Sequence, residues 1–263
     1  MAFRSANLLA HSLKFNSATS SDLVDLYEGC IDREIIEHSE GRKHKAFAPS
    51  SMRCKRISWF RLRGVEQDKI PNPDRRLNFS AEMGTACHEL IQRRLSTELG
   101  EDWIDVRDYL SSNKEFSDYE FTVETSGYET QIELIKPFPV RFACDGIIRL
   151  NGKLYLLEIK SAEYSSFIDL VEPKPEHIDQ IQTYSALLKL PNVLVVYIDR
   201  QNGEIKCFEL TISSSTHQEV LRDMHYVMNM VEANIAPDGL PKGSNWCNAN
   251  MCPYYKKCKE WGR

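Results

Sequence analysis

The sequence predicts a mixed α/β fold in which helices flank a mixed central sheet, with a helical cap at the N-terminus and a small C-terminal appendage. Three observations lead to this class. Apolar residues recur at helical spacing before residue 97. The stretch 119–161 is rich in β-branched and aromatic residues, as strands are. A helix–strand–strand–helix pattern then covers 175–234.

The helices are predicted from apolar spacing and from the residues that start or stop a helix. Apolar residues three to five apart predict a helix over 22–39. The pair Ser50–Ser51 is expected to cap a short helix that ends near Arg63. Prolines make 64–80 a predicted loop. The remaining helices are predicted at 81–97, 175–190 and 214–234.

The strands are predicted from alternating hydrophobicity and from turn residues. Asn-Gly pairs at 151–152 and 202–203 each lie between two strand-like runs, and Asn-Gly is a strong hairpin signal because a type I′ turn needs positive φ at both positions. The predicted strands are 119–125, 129–135, 139–150, 153–161, 193–199 and 204–212.

The hairpin at Asn151–Gly152 predicts a metal site. A two-residue turn fixes the register, which places Asp145 opposite Glu158 and Ala143 opposite Lys160. Glu158 and Lys160 then share one face of their strand. Two carboxylates that face each other within apolar runs repel, so one of them is protonated, a cation lies between them, or both. A hard divalent cation with oxygen ligands is the expected occupant. The alternative is a solvated face with a Glu–Lys salt bridge.

Two predicted helices can complete this site. His88 shares the apolar face of the 81–97 helix, where a histidine on its own is more often a hydrogen-bonded core residue than a ligand. His177, Gln180 and Tyr184 share one face of the 175–190 helix, which suggests a wall that contacts substrate. Ordinary amphipathicity is the alternative for this second helix.

The C-terminal segment carries a second candidate metal site. Cys247, Cys252 and Cys258 lie within twelve residues, a density that favours metal ligation over disulfides in a long chain. Cys54, among basic neighbours that favour its thiolate, is the best fourth ligand. Iron–sulfur and zinc sites are both open, and free thiols are the remaining alternative. The segment has few aliphatic residues, so we expect a metal to be its main anchor.

Charge is distributed unevenly along the 263 residues, which is long enough for one or two domains. The net charge of the chain is −5. Residues 51–76 nevertheless include eight basic and three acidic side chains, and residues 242–263 include five basic and one acidic side chain. If Cys54 meets the tail, these segments form one basic patch. A basic patch beside a two-carboxylate metal site is typical of enzymes that act on phosphodiesters. The candidate DNA-contacting residues are Arg53, Lys55, Arg56, Arg61, Lys256 and Lys257.

The sequence also bears on location. No apolar run approaches the ~18 residues of a membrane span. Cysteines scattered among apolar segments favour a reducing compartment, which we expect to be the cytoplasm of a bacterium or of a phage-infected host cell. Residues 1–21 have five serines and no acid, which is typical of an organellar transit peptide. The alternative is a first helix with Leu8, Leu9 and Leu13 on one side. The short length of the stretch favours the helix, and organellar import stays open.

Taken together, these residues resemble the RecB-like nucleases of the PD-(D/E)XK superfamily, in their iron–sulfur branch. This branch includes the CRISPR-associated iron–sulfur exonucleases, the AddB-type nuclease domains and related phage exonucleases. The resemblance extends from about residue 47 to the C-terminus. Its residues are Pro-Ser-Ser-Met-Arg-Cys-Lys-Arg at 49–56, Gly-Thr-Ala-Cys-His-Glu at 84–89, Asp145, Glu-Ile-Lys at 158–160, Gln180 with Tyr184, and the three tail cysteines.

The resemblance implies a restriction-endonuclease-like core and a role for each matching residue. It implies that Mg²⁺ or Mn²⁺ is bound by His88, Asp145, Glu158 and the Ile159 carbonyl. It also implies that Lys160 is catalytic, that Gln180 and Tyr184 contribute to the active site and DNA contact, and that a four-iron–four-sulfur (4Fe-4S) cluster is held by Cys54, Cys247, Cys252 and Cys258. Two departures are Cys144 in place of a proline before Asp145 and a longer first spacing between the tail cysteines.

The sequence therefore predicts a metal-dependent DNA exonuclease that acts on single-stranded ends in DNA repair, recombination, or phage or CRISPR DNA processing. DNA is the expected partner, together with recombination, replication or CRISPR adaptation proteins. The predicted division is a helical region at 1–80, a nuclease core at 81–235 and an iron–sulfur segment at 236–263. The alternative function is a non-catalytic module that binds DNA or a protein partner through a nuclease-like fold.

Overall fold

The computed structural model describes residues 17–39, 45–68, 74–241, 244–249 and 251–261, so the predicted first helix with Leu8, Leu9 and Leu13 lies outside the described residues. The helices are α1 (Ser17–Ser39), α2 (Lys55–Leu62), α3 (Arg75–Leu99), α4 (Val106–Ser112), α5 (Tyr164–Ile168), α6 (Pro175–Leu188), α7 (Ser214–Glu232) and α8 (Tyr255–Glu260). The strands are β1 (Trp103–Ile104), β2 (Glu120–Ser126), β3 (Glu129–Lys136), β4 (Val140–Cys144), β5 (Gly146–Leu150), β6 (Lys153–Ala162), β7 (Asn192–Asp199) and β8 (Ile205–Thr211).

Two sheets form the β structure. The larger one has the strand order β1-β5-β6-β7-β8, and its only parallel pair among the described strands is β6 with β7. Helices α5 and α6 connect this pair, since parallel neighbours need a crossover. The smaller sheet is antiparallel, with the order β2-β3-β4. The prediction of a mixed central sheet flanked by helices is confirmed.

The β5–β6 hairpin confirms the predicted turn and register, but only up to Gly146. Asn151 and Gly152 have φ of 51° and 77°, and the last pair of the ladder is Gly146 with Leu157. The predicted strand 139–150 is in fact two strands, because the chain crosses between the sheets at Asp145. Ala143 consequently pairs with Gln131 of β3, so its predicted position opposite Lys160 is wrong.

Gly146 leaves room for a tryptophan ring at this crossing. A Cβ atom at residue 146 would come within 2.8 Å of the Trp103 ring on the neighbouring strand β1, which is closer than carbon atoms can approach. The tight packing of Trp103 against the start of β5 therefore requires glycine here.

Two helix starts differ from the prediction. Helix α2 begins at Lys55 after a 3-10 turn at Pro49–Ser51, so Ser50 and Ser51 do not cap it. Helix α3 begins at Arg75, because the Asp74 side chain accepts a hydrogen bond from the Leu77 amide and caps the first turn. The predicted loop 64–80 is therefore wrong from residue 75, and the predicted boundary at residue 80 falls within α3.

The C-terminal tail packs on α2 through aromatic side chains. The ring of Tyr254 stacks on that of Phe60, with centroids 5.2 Å apart, and Trp261 meets Trp59 edge-on at the same distance. The Asp68 amide also donates to the Pro253 carbonyl at 2.7 Å. Tyr254 is 1% exposed and belongs to the main core. The expectation that little besides a metal holds the tail is therefore wrong, since aromatic burial supplies an anchor of its own.

Within the part of the chain that the structure describes, no helix combines the length and the apolar character that crossing a membrane requires.

Candidate active site

Helix α3 brings His88 against Asp145. The Nδ1 atom of His88 lies 3.1 Å from Oδ1 of Asp145. Gly84, one turn earlier, allows α3 to lie close to β6, because a Cβ there would be 3.3 Å from the Ser161 Oγ atom. Burial lowers the pKa of His88, but the hydrogen bond and charge of Asp145 outweigh it, so this pKa is raised overall. The structure thus brings His88 to Asp145, the residue with which it is predicted to act, and does not leave it as an isolated core histidine.

The second carboxylate oxygen of Asp145 replaces a missing strand partner. Oδ2 accepts a hydrogen bond of 2.7 Å from the Ile159 amide. In the hairpin register this amide points to the side of β6 from which β5 has departed. A strand residue in a hydrogen-bonding position directs its amide and its carbonyl to the same neighbour. The Ile159 carbonyl therefore faces the Asp145 side of β6, as the predicted ligand role requires.

Glu158 and Lys160 lie on the same face of β6, with Nζ of Lys160 2.5 Å from Oε1 of Glu158. The Glu158 side chain is only 3% exposed. Burial raises its pKa to about 7, because the attraction of Lys160 is too weak to offset the burial and the charge of Asp145. Asp145 lies beyond the ladder and is not directly opposite Glu158, but the two carboxylates are close enough to repel.

Helix α6 contributes a chain of hydrogen bonds to Lys160. The Lys160 ammonium donates to Oε1 of Gln180 at 3.3 Å, and Nε2 of Gln180 donates to the Tyr184 hydroxyl at 2.6 Å. Burial raises the pKa of Tyr184 well above its usual value, and its ring stacks on Phe142. The structure therefore brings Gln180 and Tyr184 to the carboxylates, as predicted.

His177, the third member of the predicted wall, has a different partner. Its Nδ1 atom lies 2.6 Å from the Tyr197 hydroxyl. Burial lowers the pKa of His177 to about 3, and the positive charges of Lys160, Lys174 and Arg53 lower it further in the same direction. His177 is consequently a neutral imidazole close to Lys160.

Sequence reasoning missed one residue of this site. Gln92 follows His88 by one helical turn, is 1% exposed, and donates to the Asp145 carbonyl at 2.8 Å. The sequence could have indicated Gln92, because it lies four residues after His88 and so is a polar residue on a helix face that otherwise carries apolar residues.

The donor set fits a hard divalent cation in its chemistry. Two carboxylates, one imidazole and one carbonyl oxygen are ligands of the kind that Mg²⁺ and Mn²⁺ take. Burial raises the pKa of Glu158, and the charge of Asp145 raises it further, so a cation at this position would favour the charged carboxylates. Both oxygens of Asp145 are engaged by protein groups. Among the described residues, no three His, Cys, Asp or Glu side chains converge on one point in their present positions, so a bound cation would replace contacts that His88, Asp145 and Glu158 make here.

The cysteines of the second candidate site are partly brought together. Cys54, Cys252 and Cys258 are buried, whereas Cys247 is partly exposed. Burial raises the pKa of Cys252, and the charges of Cys54 and Cys258 raise it further, so these three thiols are neighbours. Thiols gathered in this way are suited to share a metal or cluster, which would bind them as thiolates.

The basic candidates form less of an open patch than the sequence predicts. Arg53 pairs with Asp179 at 2.8 Å, Lys55 with Asp223 at 2.8 Å, and Lys257 with Asp68 at 3.5 Å. Arg61 is half-buried, and its Nε donates to the Ala46 carbonyl. Lys256 is exposed.

Arg56 departs furthest from the expectation of a DNA-facing side chain. It is 7% exposed, and its Nε donates to the Pro237 carbonyl at 2.7 Å. Its guanidinium also lies 3.6 Å from the Cys258 sulfur. Arg56 therefore ties α2 to the tail from inside and is not on an exposed surface.

Comparison with known proteins gives distant structural likenesses. No family model and no curated protein matches the chain. The chain is similar to the crystal structure of SSO0001 with a TM-score of 0.48 and 16% identity, over 89% of this chain and 96% of that one. It is also similar to LHK-Exo, an alkaline exonuclease from Laribacter hongkongensis, with a TM-score of 0.39 and 17% identity over 75% and 93% of the two chains. The crystal structure of LHK-Exo in complex with dAMP has a TM-score of 0.38 to this chain, with 17% identity over 77% of this chain and 93% of that one.

Proposed function

We propose that this protein is a metal-dependent nuclease that hydrolyses phosphodiester bonds in DNA. The observation that carries the proposal is the pair of buried carboxylates on Asp145 and Glu158, with Lys160 paired to Glu158 at 2.5 Å. A buried carboxylate whose pKa is raised to about 7 is costly for folding. Such a cost is expected where the groups serve a reaction.

Asp145, Glu158, His88 and the Ile159 carbonyl would hold Mg²⁺ or Mn²⁺, which would polarise the scissile phosphate and lower the pKa of a water. Lys160 can donate a hydrogen bond to a phosphate oxygen or orient the attacking water, since it is 17% exposed beside Glu158. Gln180 holds the Lys160 ammonium in place through its 3.3 Å hydrogen bond. The stacking of Tyr184 on Phe142 fixes the far end of this chain.

We infer further that the enzyme acts from single-stranded ends. The basic residues of α2 and the tail lie on one docked unit, because the tail packs on α2. Carboxylates pair with several of these basic residues, so few positive charges remain to contact phosphates. Such a surface suits the one backbone of a single strand better than the two backbones of a duplex. Exposed Lys256 and partly exposed Arg53, which lies over the ring of Trp246 at 4.4 Å, would contact the strand.

We also propose that Cys54, Cys247, Cys252 and Cys258 hold a 4Fe-4S cluster. Support comes from the three neighbouring thiols at the α2–tail contact and from their burial, since Cys54, Cys252 and Cys258 are 7–8% exposed. The visible absorption spectrum and the iron content of freshly purified protein test this, since zinc has no visible absorption. Zinc with no iron would contradict the cluster and leave the nuclease proposal standing.

Digestion of end-labelled DNA tests the proposed reaction. Linear single strands, blunt duplexes and closed circular single strands are incubated with Mg²⁺, Mn²⁺ or EDTA. We expect fast release of nucleotides from linear single strands, slower attack on duplexes, and no cleavage in EDTA. Rapid cutting of circles would indicate an endonuclease. No metal-dependent cleavage of any substrate would leave the alternative of a binding module.

A further inference from the structure

We propose that Gln92 is a positioning residue that holds Asp145 in place for the proposed reaction, so this inference rests on the proposed function. The hydrogen bonds of Gln92 go to main-chain carbonyls and not to the carboxylate of Asp145. It acts on Asp145 from the opposite end of the residue, through the main-chain carbonyl.

The amide of Gln92 bridges two carbonyl groups. Its Nε2 atom lies 2.8 Å from the Asp145 carbonyl oxygen and 3.3 Å from that of Tyr128. Both partners are acceptors only, so the atom that contacts them must be the amide nitrogen and not the oxygen. Gln92 is 1% exposed, and a buried amide bonded in this way is held in a single orientation.

Asp145 needs such a support because of its place in the fold. It lies between Cys144, the last residue of β4, and Gly146, the first residue of β5, and so belongs to neither ladder. A main-chain carbonyl at a buried crossing needs a donor from elsewhere. Gln92 is this donor, and its second bond, to the β2–β3 turn at Tyr128, ties the smaller sheet to the same point.

One helix therefore holds Asp145 at both ends. His88 and Gln92 are four residues apart on α3, so they lie on the same face. His88 bonds the carboxylate at 3.1 Å and Gln92 bonds the carbonyl at 2.8 Å. With both ends fixed, the remaining carboxylate oxygen is directed at the Ile159 amide. We infer that losing the Gln92 amide lets the Asp145 carboxylate rotate away from Ile159 and Glu158.

The test replaces Gln92 with Met, which keeps an unbranched side chain of similar length but donates no hydrogen bond. Gln92→Asn is the second variant, because it keeps a polar group and is one methylene too short to reach both carbonyls. Ile91→Val is the matched control. Ile91 is the neighbouring buried residue on α3 and packs in the core cluster of that helix, so this variant loses packing without changing the bonds of Asp145.

Two readouts separate positioning from general loss of stability. The first is hydrogen exchange of the Ile159 amide, followed by NMR in EDTA. The second is steady-state kinetics with single-stranded DNA, together with the apparent Mn²⁺ affinity from a calorimetric titration. For Gln92→Met we expect Ile159 exchange on the order of tenfold faster. We expect kcat or Mn²⁺ affinity to fall about 10- to 100-fold, as for lost partners of metal ligands, while KM for DNA changes little. Gln92→Asn should lie between Gln92→Met and the wild type.

The proposal is overturned if Ile159 exchange and Mn²⁺ affinity in both Gln92 variants match those of Ile91→Val at equal melting temperature. If Gln92→Met does not fold, Gln92→Asn decides on the same criteria. The exchange measurement needs neither metal nor cleavage. A wild-type protein that cleaves no DNA would therefore refute the proposed function, while the Ile159 amide would still report on Gln92.

Discussion

Replacing Glu158 with glutamine should stabilise the protein in EDTA at pH 8 while it abolishes cleavage. Burial raises the pKa of Glu158 from 4.5 to about 7, even with Lys160 beside it. Below pH 4.5 the carboxyl is protonated in both the folded and the unfolded chain. As the pH rises from 4.5 to 7, the unfolded chain loses this proton and the folded chain keeps it. Stability therefore falls across this window, and the loss is complete above about pH 7.

The size of the effect follows from the same numbers. A pKa raised from 4.5 to about 7 corresponds to roughly 3 kcal/mol of lost stability at most, at 1.36 kcal/mol for each unit of pKa. Part of the gain in Glu158→Gln is lost, because Lys160 gives up its carboxylate and keeps only the Gln180 oxygen at 3.3 Å. We therefore expect a net gain of about 1–2 kcal/mol at pH 8, or roughly 2–8 °C in melting temperature.

Thermal and urea denaturation in EDTA between pH 5 and 8.5 measure this difference. The gain should be near zero at pH 5 and should reach a plateau above pH 7.5. Glu209→Gln is the matched control. Hydrogen bonds from Lys153 and Tyr155 lower the pKa of this exposed glutamate, so its replacement should destabilise the protein at pH 8 where Glu158→Gln stabilises it. Added Mn²⁺ should stabilise the wild type and not Glu158→Gln. A difference that does not change with pH would refute the reasoning.

Three further predictions test other parts of the molecule. Lys160→Ala should abolish cleavage and also lower the melting temperature above pH 7, because it leaves the buried Glu158 carboxylate without its partner at 2.5 Å; near wild-type digestion would remove Lys160 from the site. Burial holds the pKa of His177 at about 3 instead of 6.5, so the folded state loses stability as the pH falls below 6.5. His177→Gln should therefore lose less stability between pH 6.5 and 4 in urea denaturation, and equal losses would contradict this. Cys54→Ala and Cys258→Ala should each lose iron, measured per chain, while Cys207→Ala keeps it; full iron in Cys54→Ala would exclude Cys54 as a ligand.

The sequence predicts the parts of this fold that depend on local chemistry. The Asn151–Gly152 turn, and the register from Leu150 to Gly146, follow from the backbone preferences of two residues. The site residues on one helix face, such as Gln180 and Tyr184, follow from helical spacing alone. Both arguments work because they need only near neighbours along the chain.

The features that the sequence does not predict depend on distant contacts. The alternation over 139–150 is the same whether it forms one strand or two, so the crossing at Asp145 leaves no local signal. The burial of Arg56 against Pro237 and Cys258 depends on how the tail docks. Aromatic residues in the tail signal burial, but their partners Trp59 and Phe60 are set by tertiary packing.

The crossing at Asp145 also explains why a site can exist on β6. A β5 strand continued past Gly146 would have covered the amide and carbonyl of Ile159 with backbone bonds. Because the chain leaves the ladder there, the Asp145 carboxylate takes the Ile159 amide instead. Two helices bring side chains to this part of β6. His88 of α3 contacts Asp145, and Gln180 of α6 accepts a hydrogen bond from Lys160. The hairpin register alone predicts that Asp145 and Glu158 face each other. The β5–β6 ladder stops at Gly146 and Leu157, one pair short of these carboxylates, and this leaves the edge of β6 open for a site.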